Sequence, residues 1–232
     1  MNILSRIYHK SIKTIAYLMN SAFVRNVFIV MSGTIMAQAI GIVLIPVISR
    51  LFTPTDFGIW GTFNAVLNVV AAGVSLEYSQ AIMLPKEKND ALHLFYISCL
   101  VTLFITCLVA IVCVFAPSLL IETIKAPNYW VIVLLVLSIF MAGVNIALQA
   151  WCIRIKAFKR SSVSPIIRSL SSNGIQLGFG YYKYGALGLI ISGIIADVLV
   201  SINLLKVFLA DFKTYPHKLR WARIRQLAME VS

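Results

Sequence analysis

Residues 129–152 read YWVIVLLVLSIFMAGVNIALQAWC, a run that contains no charged side chain. A helix of this length crosses the hydrocarbon core of a bilayer, which needs about 20 apolar residues. The whole chain has the same character, with 60% hydrophobic residues, 12% charged residues and a mean hydropathy of +0.90. A soluble domain has about 45–50% apolar and about 25% charged residues. The composition therefore excludes a soluble enzyme, a disordered chain and a disulfide scaffold, and it predicts an all-α integral membrane bundle.

Five further apolar stretches flank this one, and each is long enough to be a membrane span. We predict six transmembrane helices, at about residues 26–49, 57–76, 91–116, 129–152, 165–182 and 185–209. Residues 154–164 are predicted to form a connector. The chain then divides into a basic amphipathic segment at 1–25, a six-helix lobe at 26–209, and a basic amphipathic tail or connector at 210–232.

The net charge of +12 has two interpretations, a nucleic-acid surface and the positive-inside rule of membrane proteins. Of the 20 Lys and Arg residues, all but Arg50, Lys125 and Lys183 fall in the termini, in alternate connectors or just inside a span next to one. This alternation favours a multi-pass protein of the cytoplasmic (inner) membrane with both termini in the cytoplasm. No nucleic-acid partner is expected.

Polar side chains recur at helical spacing inside five of the six predicted spans. A single amide in a span is explained by a hydrogen bond between helices, whereas several aligned polar stripes favour a water-accessible cavity. The candidate cavity residues are Gln38, Asn64, Asn68, Asn145, Gln149, Arg168, Gln176 and Asp197.

Three charged side chains need an explanation. Arg168 is predicted one turn inside the cytoplasmic end of its span, where it either reaches back to the interface or presents a cation to an anionic substrate. Asp197 lies near the middle of its span, so it is either a structural partner of another polar group or a site for a coupling ion or proton. Glu77 follows the second span and is either an interfacial charge or a further coupling or structural charge.

No catalytic or metal-binding pattern is present. The three histidines, His9, His93 and His217, are far apart, and no H-E-x-x-H, nucleophile elbow or Gly-rich phosphate loop occurs. We therefore expect neither an enzyme nor a bound metal or cofactor.

Four segments carry a family resemblance. ISRLFTPTDFG, LEYSQAIMLPK, QAWCIRIKAFK and GALGLIISG occur in this order at residues 48–58, 76–86, 149–159 and 185–193. They resemble the corresponding segments of polysaccharide-biosynthesis flippases, the Wzx-like O-antigen and capsule exporters of the multidrug/oligosaccharidyl-lipid/polysaccharide superfamily. The resemblance extends over about residues 26–209.

The resemblance implies a flippase for undecaprenyl-pyrophosphate-linked oligosaccharide. Arg168, and with it Arg154 and Arg50, would meet the pyrophosphate. The amides at the predicted cavity would bind sugar hydroxyls, namely Asn64, Asn68, Asn145 and Gln149, with Gln38 and Gln176 as further candidates. Arg50, Pro54 and Gly58 belong to the family pattern, where structural roles are expected.

Members of this family have two helical lobes, and this chain has the length of one. The resemblance therefore implies an N-terminal lobe with a missing C-terminal lobe, or a half-transporter that pairs with a second copy. Its expected partners are the lipid-linked oligosaccharide, membrane lipids and the polysaccharide polymerase machinery. The alternatives are a cation-coupled drug antiporter of the same superfamily and a non-transporting scaffold of a glycan-assembly complex.

Overall fold

The computed structural model describes residues 22–74, 78–85, 87–115, 124 and 129–214. The described residues form six long helices and one short one, and no strand occurs among them. The helices are α1 (Ala22–Leu51), α2 (Pro54–Val74), α3 (Tyr78–Ala81), α4 (Lys88–Phe115), α5 (Trp130–Arg154), α6 (Phe158–Tyr181) and α7 (Gly185–Thr214). The predicted all-α membrane bundle is confirmed.

Five of the long helices, α1, α2, α4, α5 and α7, are long and apolar enough to cross a membrane. The sixth, α6, has 24 residues but is more polar because it carries many serines and Arg168. It packs against α1 on one side and α7 on the other. Its polar residues therefore lie on a helix that packs against two other helices.

The predicted connector at 154–164 is wrong in its extent. Only residues 155–157 separate α5 from α6, so α6 begins at Phe158 and holds Pro165 in its interior. The chain reverses this tightly because Lys156 adopts a left-handed backbone with φ 58°. Its N–H donates to the carbonyl of Ile153 (3.0 Å), and the next N–H, of Ala157, donates to that of Cys152 (2.9 Å). This is the Schellman pattern that ends helices.

The other predicted boundaries shift by less. Helix α1 begins at Ala22, inside the predicted segment 1–25, and α7 continues to Thr214, beyond the predicted limit of 209. The remaining parts of the two terminal segments, residues 1–21 and 215–232, lie outside the described residues.

Side-chain contacts fix which helix ends lie together. Lys88 at the start of α4 forms an ion pair with Asp211 near the end of α7 (2.6 Å). Gly33 in α1 contacts Ser162 at the start of α6. The starts of α1, α4 and α6 and the ends of α5 and α7 therefore lie at one end of the bundle, which we call the basic end.

At the opposite end, Asp56 joins the N-termini of α2 and α7. Its Oδ2 accepts hydrogen bonds from the N–H (2.9 Å) and hydroxyl (2.7 Å) of Thr53, and the Thr53 hydroxyl accepts one from the Asp56 N–H (3.2 Å). This is a reciprocal capping box at the start of α2. The other carboxylate oxygen, Oδ1, accepts a bond from the N–H of Ala186 (2.9 Å). Gly185 permits this contact because its φ is 59° and a Cβ there would lie 2.9 Å from Asp56 Oδ1.

Replacing Asp56 by alanine is expected to destabilise the bundle by about 2 kcal/mol, because it removes an N-terminal cap and a hydrogen bond to a second helix. Thermal unfolding of the purified protein in detergent measures the change. Thr55→Ala is the matched control, since Thr55 is an exposed neighbour. Equal unfolding midpoints for the two variants would show that Asp56 does not join the helices.

Candidate functional site

A cavity of about 560 Å³ lies between α2, α3, α5, α6 and α7. Its volume falls within the range of about 300–1,000 Å³ that is typical of ligand pockets. Five of the predicted site residues line it together: Asn68, Asn145, Gln149, Arg168 and Asp197. These residues come from four helices, so only the folded bundle brings them to one place.

The charged centre of the cavity is a two-pronged ion pair. Arg168 Nη1 lies 3.1 Å from Asp197 Oδ1, and Arg168 Nη2 donates to Asp197 Oδ2 at 3.3 Å. The two side chains differ in exposure, because that of Arg168 is 58% exposed and that of Asp197 only 5%. A guanidinium has five N–H donors, and one of them is hydrogen-bonded to Asp197 Oδ2, so others remain for another ligand.

The early start of α6 changes the expected depth of Arg168. The sequence places this residue one turn inside its span, but α6 begins at Phe158, ten residues before it (168 − 158). Ten residues of helix correspond to about 15 Å. Arg168 is therefore within reach of Asp197, which lies in the middle of α7.

Two amides connect α5 to its neighbours at the cavity wall. Asn145 donates to the backbone carbonyl of Asp197 (3.2 Å) and accepts from the hydroxyl of Ser201 (2.9 Å). Gln149 donates to the hydroxyl of Ser161 in α6 (2.8 Å). These bonds hold α5, α6 and α7 together around the ion pair. Asn68 of α2 is exposed at the cavity and has no hydrogen-bond partner among the described residues.

The other predicted binding residues lie outside this cavity. Asn64 donates to the carbonyl of Trp60 in its own helix (2.8 Å), and Gln176 is buried with its amide on Ser172 (3.2 Å). Gln38 is exposed on α1. No three His, Cys, Asp or Glu side chains in the described part of the chain are grouped to hold a metal ion.

Arg154 has partners of a different kind from those expected. Its guanidinium donates to the backbone carbonyls of Ile82 (2.7 Å), Pro85 (2.7 Å) and Glu87 (3.1 Å). It therefore holds the loop between α3 and α4 against the end of α5. Both terminal nitrogens of this guanidinium are therefore already bound to backbone carbonyls.

The family-pattern residues lie at the opposite end of the bundle. Arg50 is exposed in the last turn of α1, where a cation interacts favourably with the helix dipole. Pro54 is the first residue of α2, a position where its missing N–H costs nothing. Gly58 is exposed, with open space where a Cβ would be. Glu77 lies outside the described residues.

Sequence reasoning missed the serines of the cavity. Ser164 lines it, and Ser161 contacts Gln149, but both fall in the predicted connector. Ser79 also lines it and shares a hydrogen bond with Ser98 of α4 (3.0 Å). The spacing of Ser161, Ser164 and Arg168 is helical, which is the signal that predicts an earlier start of α6.

One comparison with known proteins gives a match. The sequence model of a family described as "Polysaccharide biosynthesis protein" matches residues 47–229 of this chain. No curated protein and no solved structure matches the chain. The family match covers most of the chain and includes the whole of the cavity lining.

Proposed function

The chain belongs to the polysaccharide biosynthesis protein family, and from this premise we propose that it is a flippase for polyprenyl-pyrophosphate-linked oligosaccharide. Proteins of this family are of the transporter type and are polysaccharide-related. The substrate that we propose has an anionic pyrophosphate, a polar glycan and an apolar polyprenyl tail. Undecaprenyl pyrophosphate is the carrier that the sequence resemblance implies.

The exposed guanidinium of Arg168 inside the helical bundle carries the proposal. The guanidinium is open to the cavity, and the planar fork of arginine matches two phosphate oxygens at once. Asp197 satisfies part of the guanidinium and leaves the rest exposed to the cavity. An arriving pyrophosphate would bind the free N–H groups, while Asn68 and Gln149 would hydrogen-bond the first sugar.

A cation-coupled drug antiporter fits the cavity less well. Such a protein would need a free carboxylate to meet a cationic drug. Among the described residues, Asp197 is the only acidic one that lines this cavity, and Arg168 already pairs with it. The remaining hydrogen-bonding groups of the cavity suit an anion and a glycan.

The arrangement in the membrane is part of the proposal. The basic end of the bundle would face the cytoplasm under the positive-inside rule, with the protein in the inner membrane. Helix α1 packs against α6 but leaves many apolar side chains exposed, Val43 being 72% exposed. We expect a second six-helix lobe, from a longer chain or a second copy, to complete the translocation path.

The test of the proposed function is ligand binding by the whole chain in detergent. A short polyprenyl pyrophosphate that carries a trisaccharide is expected to raise the thermal unfolding midpoint, whereas the uncharged polyprenyl alcohol is not. Stabilisation by the cation ethidium instead of the pyrophosphate would support the drug antiporter. Absence of binding to all three ligands would support the scaffold.

Asp197→Asn is expected to strengthen the binding of the pyrophosphate lipid several-fold, because it removes the carboxylate that competes with the phosphate for Arg168. The same assay measures the effect. The variant should lose less than about 1 kcal/mol of stability, since the guanidinium that it leaves unpaired is largely exposed. Weaker binding than in the parent protein would contradict the competition.

A further inference from the structure

A second pocket, of about 510 Å³, lies at the basic end of the bundle. It is formed by the first turns of α1, the tight turn between α5 and α6, and the first turn of α6. We call it the basic pocket. Its lining residues are Arg25, Asn26, Ile29, Lys156, Ala157, Phe158, Lys159 and Arg160. It shares no residue with the cavity around Arg168 and Asp197.

The basic pocket concentrates positive charge. Eight described residues line it, and of these four are Lys or Arg and none is acidic. Arg25, Lys156 and Lys159 have no ion-pair partner among the described residues, and Arg160 reaches only the amide oxygen of Asn203 (3.4 Å). Four cations around one pocket repel one another, so an anion bound there would stabilise the arrangement.

The helices that form the pocket add to this field. Arg25, Lys159 and Arg160 lie in the first turns of α1 and α6, where the positive end of the helix dipole makes a cation unfavourable. Neither helix has an acidic residue in its first turn, and no side chain caps the start of α6. The backbone N–H groups at the helix starts and the side-chain cations would therefore both be stabilised by a bound anion.

The turn places one of these cations at a conformational cost. Lys156 occupies the left-handed position of the Schellman turn with φ 58°, where glycine is the usual residue. Lysine here adds a charge to the pocket that glycine would not supply. The same turn brings Lys159 and Arg160 next to Arg25, which precedes them by more than 130 residues in the sequence.

The pocket also has an apolar side. Ile29, Ala157 and Phe158 line it together with the cations. Because the pocket lies where α1 begins and α5 ends, and both helices are long enough to span a membrane, its cations would meet lipid headgroups and its apolar residues the acyl chains. Basic pockets between helices at this level bind anionic phospholipids.

We propose that the basic pocket binds the headgroup phosphate of an anionic phospholipid of the surrounding leaflet. The cations hold the phosphate oxygens, and Ile29 and Phe158 contact the first part of the acyl chains. A lipid with two phosphate groups, such as cardiolipin, pairs with more of the four cations than phosphatidylglycerol and binds more tightly. This role is separate from transport and holds whether or not the proposed function is correct.

The experiment measures lipid binding to the whole chain in neutral detergent, by native mass spectrometry and by the thermal unfolding midpoint. Cardiolipin is expected to bind and stabilise the protein more than phosphatidylcholine does. Arg25→Gln combined with Lys159→Gln should weaken cardiolipin binding about 30-fold, because each Lys or Arg near anionic lipid raises the affinity about fivefold.

The matched control removes two exposed cations at the opposite end of the bundle, with Arg50→Gln combined with Lys183→Gln. It should keep cardiolipin affinity within about twofold of the parent protein, since these charges lie at or just after the ends of α1 and α6 that are far from the pocket. An equal loss in both double variants would overturn the proposal, because the binding would then follow total charge.

Two further ligands distinguish the sources of the phosphate. Inorganic phosphate at millimolar concentration should not displace cardiolipin, because it lacks the apolar contacts. Displacement of cardiolipin by inorganic phosphate would show that the pocket is not a phospholipid site. The same conclusion would follow if the double variant Arg25→Gln, Lys159→Gln weakened binding of the polyprenyl pyrophosphate but not of cardiolipin. Thermal midpoints in the absence of lipid verify that both double variants are folded.

Discussion

Arg168→Ala is expected to abolish export of the lipid-linked glycan by the complete transporter and to weaken pyrophosphate binding to this chain by about 10- to 100-fold. Hydrogen bonds to charged groups contribute about 1.5–3 kcal/mol each, and this variant removes the one cation that lines the cavity in the described part of the chain. Arg168→Lys should retain part of both activities, because it keeps the charge but loses the two-pronged geometry. Surface glycan in cells that lack their own flippase measures export, and ligand-induced stabilisation measures binding.

The alanine variant also leaves Asp197 buried without its partner, which typically costs about 3–5 kcal/mol. A double variant with Arg168→Met and Asp197→Asn separates this folding effect from the loss of substrate contact. It should restore normal amounts of folded protein but not export. Full export by the folded double variant would show that Arg168 does not meet the substrate.

Gly33→Ala is expected to prevent normal assembly of α1 with α6. A Cβ at this position would overlap the carbonyl oxygen of Ser162 and lie 2.6 Å from its carbonyl carbon. Both atoms belong to the backbone of a helix, so neither can move without displacing α6. Overpacking a core usually costs about 1–3 kcal/mol, and contact with backbone should place this variant at or above the upper limit. The yield of protein that elutes as a single species in detergent is the measurement.

Gly41→Ala is the control on the same helix. Nothing lies within 4 Å of a Cβ at this position, and alanine forms helix better than glycine. The control should therefore be produced at least as well as the parent protein. Equal yields of the two alanine variants would mean that α1 and α6 do not approach as closely as the structure has them.

The extent of α6 shows where sequence reasoning reached its limit. Hydropathy detects the apolar spans, but α6 is polar for much of its length, and Pro165 suggests a helix start. The structure begins this helix at Phe158, because a left-handed Lys156 closes the preceding turn in three residues. Backbone conformation at one lysine is not encoded in hydropathy, so hydropathy alone places the serines at 161 and 164 in a connector.

The sequence predicts that a polar cavity exists, but it does not predict which of the polar residues line it. Polar residues inside apolar helices are expensive, so their presence alone indicates inward-facing groups. Their partners depend on helix packing, however. Arg154 and Arg168 are both expected from the sequence to meet the pyrophosphate, yet the first binds three backbone carbonyls and the second faces Asp197 across the cavity.

By itself the sequence determined that this protein is a helical membrane bundle, because uninterrupted apolar runs of spanning length have no other stable environment. It also determined the polysaccharide-related family through the order of its connector motifs. Only the tertiary structure decided that Asp197 pairs with Arg168, that Asp56 joins two helix ends, and that Arg25 meets the turn at Lys156. These contacts connect residues that are distant in the chain, and their geometry depends on how each helix is rotated and offset against its neighbours.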